Sequence, residues 1–479
     1  MTLEAIARTS SATSAAPAAA TRYVLAITEG SRRRLAIGWL LLALGALAAS
    51  GVFSILLVLS RAPVIKDVFP LVDFFHVALV VHVDLSVLVW FLSFAGVMWS
   101  VNSTPRGLDA GWAALALALT GTAFMCIAPF TGAERAVMAN YVPVLDDATF
   151  LAGLVIFAAG VALAVLRGMT AVPRVGVALD GAGALRFGLN TSLVSAAVAL
   201  IAFAWSYARL PAGLEAKPFY ELLFWGGGHV LQFTYTLLMF VAWLWLADAA
   251  RVALPLTPRV VTLLFGIGLA SVFATPLIYL AYDVGSVEHH RLLTWLMRYG
   301  GGLAIVPLAA ALAIGLVRAP SALAPERPLR DALLTSLLLF GSGGAIGFMI
   351  HGSNVTIPAH YHGCIVGVTL ALMGLAYDLL PRLGFGAPGA RVARWQLWLY
   401  AAGQLMHIGG LVWSGGYGVQ RKVAGAAQAL RSPEQIAAMG VMGFGGLIAV
   451  IGGLLFIVIA ARSLLAAQPA AAPRPAAAD

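Results

Sequence analysis

The chain has 479 residues, of which 61% are hydrophobic and only 10% are charged, with a mean hydropathy of +0.93. This composition excludes a soluble globular protein. The net charge of +9 does not indicate nucleic-acid binding, because the basic residues fall mainly on one side of the predicted membrane spans. The two cysteines, Cys126 and Cys364, provide neither a disulfide framework nor a site for covalent haem attachment.

Twelve stretches contain the roughly 20 apolar residues that a membrane span needs. We therefore predict an all-α polytopic membrane protein with twelve transmembrane helices, at residues 36–60, 74–101, 110–131, 143–166, 187–208, 218–249, 259–283, 291–317, 333–350, 357–381, 395–416 and 436–461. With the N-terminus inside, nineteen of the 29 Lys and Arg residues lie inside and ten outside, so both termini are predicted to be cytoplasmic.

The predicted membrane domain, residues 35–462, is flanked by two tails. Residues 1–34 are rich in Ala, Ser and Thr and lack the apolar core of a cleaved signal peptide, so we expect a cytoplasmic N-terminal tail. Residues 463–479 are rich in Ala and Pro and form a low-complexity C-terminal tail.

Histidines within the spans carry the chemistry of this sequence. In span two, His82 lies well inside the apolar stretch, where ionisable residues usually face the bundle interior. In span six, His229 follows the glycine run 226–228, and each glycine costs a helix about 1 kcal/mol relative to alanine. Such a run is expected where the backbone approaches something flat and bulky. We favour a bound cofactor, with close packing of helices as the alternative.

Two histidine pairs differ in their spacing. His289 and His290 are adjacent and diverge by about 100° on a regular helix, so they share a metal only if it lies between them or if the helix frays. The outer end of span seven, where we place them, allows fraying. His360 and His362 are two residues apart near the start of span ten and face opposite sides of the helix. They can therefore bind two separate groups, one of them towards His82; the alternative is that they are polar residues near the membrane interface.

Six histidines share the outer half of the bilayer in the predicted orientation. They are His82, His229, His289, His290, His360 and His362. Imidazole suits iron, copper and zinc, so the sequence predicts a metal centre at this depth. The other three, His76, His351 and His407, are predicted to be structural or solvated.

These motifs, in this order, resemble subunit I of the haem–copper oxidase superfamily, which includes terminal oxidases and nitric oxide reductases. The matching stretches are HVDLSVLVW at 82–90, GGGHV at 226–230, EHH at 288–290, AHYHG at 359–363 and VQRK at 419–422. The resemblance covers about residues 35–462. It implies the fold of that subunit and a site at which a diatomic gas is reduced.

The resemblance also implies two haems, expected to be b-type, and one copper ion, with non-haem iron as the alternative metal. Residues matching His82 and His362 bind the low-spin haem, and the one matching His360 binds the high-spin haem. Those matching His229, His289 and His290 hold the copper, and the pair matching Arg421 and Lys422 binds haem propionates. The implied partners are an electron-donating subunit, a cytochrome c or a quinol, together with membrane lipid and a small diatomic substrate. No nucleic acid is expected, and the expected location is the bacterial cytoplasmic (inner) membrane.

The sequence departs from the oxidase pattern at the tyrosine that serves dioxygen splitting. Phe233 stands at its position in span six, and Asp283 stands at the alternative position in span seven, with Tyr282 one residue away. The glutamate of cytochrome-linked nitric oxide reductases is also missing, and no lysine lies inside a predicted span. Gln232, three residues after His229, either contacts a bound gas or makes an interhelical hydrogen bond, and a kink would bring Tyr282 into the site. We name Gln232 and Tyr282 as candidate catalytic residues.

Without that tyrosine we expect reduction of nitric oxide to nitrous oxide, which needs only two electrons. Reduction of dioxygen to water is the close alternative. A proton-coupled secondary transporter with histidines in a proton path is a remote one. Transporter sequences often contain two related halves, and no such repeat is evident here.

Overall fold

The computed structural model describes residues 21–27, 29–59, 74–176, 179–421 and 430–466. Within these ranges the chain forms twelve long helices: α1 (Ser31–Leu59), α2 (Phe74–Val101), α3 (Leu108–Phe130), α4 (Ala148–Ala171), α5 (Gly181–Arg209), α6 (Ala216–Ala249), α7 (Pro258–Ala281), α8 (Val287–Arg318), α9 (Arg327–Phe348), α10 (Thr356–Arg382), α11 (Ala390–Gly416) and α12 (Pro433–Leu465). Each coincides with a predicted span, with ends displaced by less than two turns. The predicted all-α polytopic membrane fold is confirmed.

Eleven of these helices are long and apolar enough to cross a membrane; α11 is not among them. Its 27 residues span about 40 Å at 1.5 Å per residue, but they include two arginines, two glutamines and a histidine. The helix nevertheless packs closely on α12. A Cβ at Gly403 or Gly410 would overlap backbone atoms of Ala449 or Met442, so small residues bring the two backbones together.

Helices α2, α6 and α10 form the interior of the bundle. In their most apolar stretches 72%, 89% and 83% of the residues are buried, against 28–50% in the other apolar helices that the structure describes. Four of the six candidate histidines lie on these three helices, and the other two, His289 and His290, lie on α8. The location of these four on the three most buried helices agrees with the expectation that ionisable residues in a membrane helix face inward.

A short hairpin precedes α4. Strand β1 (Ala136–Val137) pairs antiparallel with β2 (Val144–Leu145) in the connection between α3 and α4. Span four was predicted to begin at residue 143, but α4 begins at Ala148, because the Asp147 side chain caps it by accepting a hydrogen bond of 3.0 Å from the Phe150 N–H. The displaced residues belong to the hairpin.

Three helices contain interruptions. In α2, residues Asp84–Val89 are π-helical, directly after His82. Such bulges are frequent at functional sites because they change the direction in which neighbouring side chains point. Helix α7 is interrupted at Phe273 and α8 at Gly301.

The ends of the membrane domain differ slightly from the predicted boundaries. Helix α1 begins at Ser31, and α12 continues to Leu465. Ahead of α1, the Arg22 guanidinium pairs with the Asp248 carboxylate at 2.9 Å, and the Tyr23 N–H donates to the same oxygen at 3.0 Å. Part of the predicted N-terminal tail therefore packs against the end of α6.

Candidate functional site

His82 is oriented by α1. Its Nδ1 lies 2.9 Å from the Ser50 hydroxyl oxygen and 3.0 Å from the Ser50 carbonyl oxygen. A carbonyl only accepts, so the Nδ1–H of His82 is the donor. Nε2 is then the unprotonated nitrogen, available to a metal on the other side of the ring.

His362 faces away from α9. Its Nδ1–H donates to the Pro358 carbonyl oxygen, 2.8 Å away on its own helix. The ring lies 5.0 Å, centroid to centroid, from the His407 ring on α11, and it is close enough to His82 to interact electrostatically. The predicted pairing of His82 with His362 across one group is compatible with this placement.

His360 faces the opposite neighbour, α9. Its Nδ1–H donates to the Gly343 carbonyl oxygen at 2.7 Å. A Cβ on Gly347 would lie 2.8 Å from the same ring, so that glycine makes room for the imidazole. His360 and His362 therefore point to different sides of α10, as their spacing predicts.

The same arrangement recurs at His229 on α6. Its Nδ1–H donates to the Trp225 carbonyl oxygen at 2.6 Å, which again leaves Nε2 as the free nitrogen. Four of the six candidate histidines thus have Nδ1 bound to oxygen. Metal-ligating histidines characteristically donate their second ring N–H to such a partner, which fixes the tautomer and the direction of the ring.

The Tyr141 hydroxyl occupies the free side of His229. Tyr141 lies in the β1–β2 hairpin, and its hydroxyl oxygen is 2.9 Å from His229 Nε2, so the phenol donates to the ring. Burial raises the pKa of Tyr141 above its ordinary value, and the Glu221 carboxylate raises it further. The phenol is therefore neutral and able to donate.

His289 carries the most direct sign of a missing partner. It is fully buried, and neither of its ring nitrogens has a hydrogen-bond partner among the described residues. Buried polar nitrogens are rarely left unsatisfied, and a metal ion would satisfy one of them. The Tyr279 ring packs edge-on against this imidazole at 4.7 Å.

The histidine pair lies at the start of α8 and not at a frayed end of span seven. Ser286 caps the helix by accepting a hydrogen bond of 3.2 Å from the His289 N–H, so the pair is held in a regular first turn. The two ring centroids are 6.2 Å apart. The expected fraying is wrong because the cap fixes this turn.

The Trp225 ring bridges α6 and α8 beside these histidines. Its ring centroid is 4.8 Å from that of His229 and 4.4 Å from that of His290, and its Nε1–H donates to the His290 carbonyl oxygen at 3.3 Å. In this arrangement no three His, Cys, Asp or Glu side chains of the described ranges form a group that could hold a metal ion. The imidazole nitrogens present are suitable ligands for copper or iron, but the side chains are not placed as a complete coordination shell.

The glycine run of α6 is packed by the protein's own aromatic rings. A Cβ at Gly226 would overlap the Tyr279 hydroxyl, one at Gly227 the Phe203 ring, and one at Gly228 the Tyr141 ring. Something flat and bulky does approach the backbone, as predicted. In all three cases it is an aromatic side chain, so our preference for a cofactor at this run is not supported.

The remaining predicted residues are less closely joined to the histidines. Arg421 donates from Nε to the Ser353 hydroxyl at 3.2 Å, beside the start of α10, whereas Lys422 lies outside the described residues. Gln232 is half-buried one turn after His229, and its side chain has no hydrogen-bond partner within the described ranges. Tyr282 ends α7 with 40% of its surface exposed and makes no described contact with the histidines.

Three residues beside the candidate ligands were missed from the sequence or given no part in the site. They are Tyr141, Tyr279 and His407. His407, predicted to be structural or solvated, donates from Nδ1 to the Met442 carbonyl oxygen at 3.0 Å and packs against His362, so it lies at the site. Tyr279 is ten residues before His289, but it lies on α7 and His289 on α8, so the helical repeat does not relate them. No sequence signal connects Tyr141 to His229, because they are 88 residues apart.

Comparison with solved structures identifies the architecture. A heme-copper terminal oxidase, determined by cryo-EM as a dimer, superposes with a TM-score of 0.72 over 92% of this chain and 85% of that chain, at 16% sequence identity. The chain therefore has the fold of a haem–copper terminal oxidase, as its motifs predict.

Sequence relatives are more similar but add no activity. An uncharacterized protein of Rickettsia prowazekii (strain Madrid E) is 28% identical over 90% of this chain and 96% of its own length. An uncharacterized protein of Aquifex aeolicus (strain VF5) is 28% identical over 72% of this chain and 85% of its own length. No family model matches the chain.

Proposed function

We propose that this chain is the catalytic subunit of a membrane respiratory haem–copper reductase. The observation that carries the proposal is the set of four histidines whose Nδ1–H groups donate to oxygen, which leaves Nε2 unprotonated, on the most buried helices. The unsatisfied ring nitrogens of His289 support it, and so does the fold.

In this proposal His82 and His362 hold a low-spin haem, and His360 holds a high-spin haem. His229, His289 and His290 hold copper, with non-haem iron as the less favoured metal. Arg421 lies near Tyr361, a residue on the same helix as the proposed haem ligands His360 and His362. A cation at this position would neutralise haem carboxylates. When bound, these groups accept electrons and bind the gas, while the protein fixes ligands, excludes water and delivers protons.

The choice between nitric oxide and dioxygen as the substrate depends on whether a tyrosine hydroxyl lies beside the proposed copper ligands. Nitric oxide was favoured because Phe233 replaces the tyrosine of the oxidases. In the folded chain, however, the Tyr141 hydroxyl lies 2.9 Å from His229, and the Tyr279 ring lies 4.7 Å from that of His289. A phenol beside the proposed copper ligands supports dioxygen over nitric oxide. We propose dioxygen, reduced to water by four electrons and four protons, as the better-supported substrate, and nitric oxide as the second.

Electrons in this proposal come from a partner subunit, a cytochrome c or a quinol, because the sequence contains no c-type haem motif. The proposed location is the bacterial cytoplasmic membrane with both termini inside. The positive-inside distribution of Lys and Arg supports this orientation.

The test is metal and haem analysis of the purified protein, followed by turnover with each gas on the same preparation. We expect two haems and one copper per chain, with faster consumption of dioxygen than of nitric oxide. Faster nitric oxide consumption would reverse the order of substrates. A preparation expressed with haem supplied but containing none would contradict the redox function and favour a transporter.

A further inference from the structure

Tyr141 is held in a backbone conformation that side chains with a Cβ rarely adopt. Its φ is +70°, and Tyr141 and Arg251 are the two non-glycine residues with positive φ in the described ranges. Bulky residues in this region are strained, and such strain persists where the surrounding structure determines the position. The conformation directs the ring inward from the tip of the β1–β2 hairpin.

Two sets of contacts hold this loop. Glu221 on α6 accepts hydrogen bonds from the Asn140 N–H, at 2.9 Å, and from the Asn140 side-chain amide. The Tyr141 ring lies 5.9 Å from the Trp225 ring and fills the space over Gly228 that a Cβ would occupy. The phenol is thus positioned by three residues of α6 that precede His229, namely Glu221, Trp225 and Gly228.

The phenol and a metal ion compete for the same lone pair. Because Nδ1–H of His229 donates to Trp225, Nε2 is the one ring nitrogen left for coordination, and the Tyr141 O–H donates into it. With a metal at Nε2, the Tyr141 O–H would lose this acceptor. Its other described contact is the Met297 sulfur at 4.0 Å, a weak acceptor.

We propose that Tyr141 is the hydrogen-bond donor of the gas site: it holds Nε2 of His229 before a metal binds and donates to the bound gas afterwards. This inference rests on the proposed function. Tyr279 is less suited to the role, because its hydroxyl is already paired with the Ser206 hydroxyl at 2.7 Å.

The first test is copper(I) titration of the metal-depleted, haem-containing protein against a colorimetric chelator. Tyr141→Phe removes the competing hydrogen bond and nothing else from the ring. We expect copper to bind about fivefold more tightly, since one hydrogen bond contributes about 1 kcal/mol. Weaker binding would mean that the phenol is itself a ligand, and unchanged binding would mean that it does not compete; either result overturns the proposal.

The second test is the infrared stretch of carbon monoxide bound to the reduced, metal-loaded protein. A donor to the carbon monoxide oxygen lowers this frequency, so Tyr141→Phe should raise it. Tyr207→Phe is the matched control, because Tyr207 is 69% exposed on α5, and it should leave the band in place. An unshifted band in Tyr141→Phe would overturn the inference.

Two outcomes separate this inference from the function on which it rests. Wild-type protein that contains haem but binds no carbon monoxide would contradict the proposed function itself. If Tyr141→Phe fails to assemble with haem, Glu221→Ala tests the same idea, because it unties Asn140 but keeps the phenol. We then expect a broadened band from a mobile donor, and a single narrow band at the wild-type frequency would overturn the proposal.

Discussion

At the scale of single residues, the most informative atom of each candidate histidine is Nδ1, the ring nitrogen that is not available to a metal. Ser50, Gly343, Pro358 and Trp225 each accept from a different Nδ1–H. All four acceptors are backbone carbonyl oxygens of helical residues, and Ser50 adds a hydroxyl. The tautomer of each imidazole is therefore fixed by backbone carbonyl oxygens before any metal binds, from the same helix for His229 and His362 and from a neighbouring helix for His82 and His360.

The first prediction concerns His82. Replacing it by alanine removes one axial ligand of the proposed low-spin haem, so the low-spin signal in optical and electron paramagnetic resonance spectra should disappear. Copper content should be unchanged, because His229, His289 and His290 are untouched. His76→Ala, on the exposed side of the same helix, is the control and should retain both. A surviving low-spin signal in His82→Ala would count against the assignment.

At the scale of helices, the glycine run of α6 shows how one element receives several others. Three consecutive positions without a Cβ let rings from the β1–β2 hairpin, α5 and α7 reach the backbone just before His229. The helix loses intrinsic stability at these glycines but gains close aromatic packing. These three rings therefore enclose the α6 backbone just before His229.

The second prediction tests that packing. Gly228→Ala places a Cβ inside the Tyr141 ring, so we expect unfolding in detergent to become easier by about 1–3 kcal/mol, as for other overpacked cores. Gly266→Ala on α7 meets no atom within 4 Å and should be neutral or stabilise by about 0.5–1 kcal/mol. Equal thermal midpoints for the two variants would show that the ring does not occupy this space.

At the scale of the whole molecule, the bundle is arranged with its chemistry-bearing helices inside. Helices α2, α6 and α10 are enclosed by helices whose apolar side chains face outward. The outer helices present the surface expected of a lipid contact, and the inner ones keep imidazole groups away from water and lipid.

The third prediction concerns orientation. Single cysteines at Ala212, between α5 and α6, and at Ser321, between α8 and α9, report opposite sides of the membrane. With both termini inside, an impermeant maleimide should label Ala212→Cys in intact cells and Ser321→Cys only after lysis. The natural Cys126 and Cys364 are partly shielded within helices, so the unmodified chain provides the background. Labelling in the reverse order would refute the predicted topology.

The sequence by itself determined the membrane class, the twelve helices and the opposed directions of His360 and His362. These follow from local rules, because hydropathy sets the length of a span and the helical repeat sets the direction of a side chain. The starts of α4 and α8 were misplaced, although both depend on short-range hydrogen bonds to the caps Asp147 and Ser286. Boundaries are where local signals compete most closely.

Only the tertiary structure decided what surrounds those histidines. Tyr141 reaches His229 across 88 residues of sequence, from a hairpin whose inward tip depends on Glu221 and a positive φ. His407 reaches His362 from another helix, and aromatic side chains fill the space that the glycine run suggested for a cofactor. No periodicity records such contacts, because they depend on how separate helices pack and not on the order of residues within one helix.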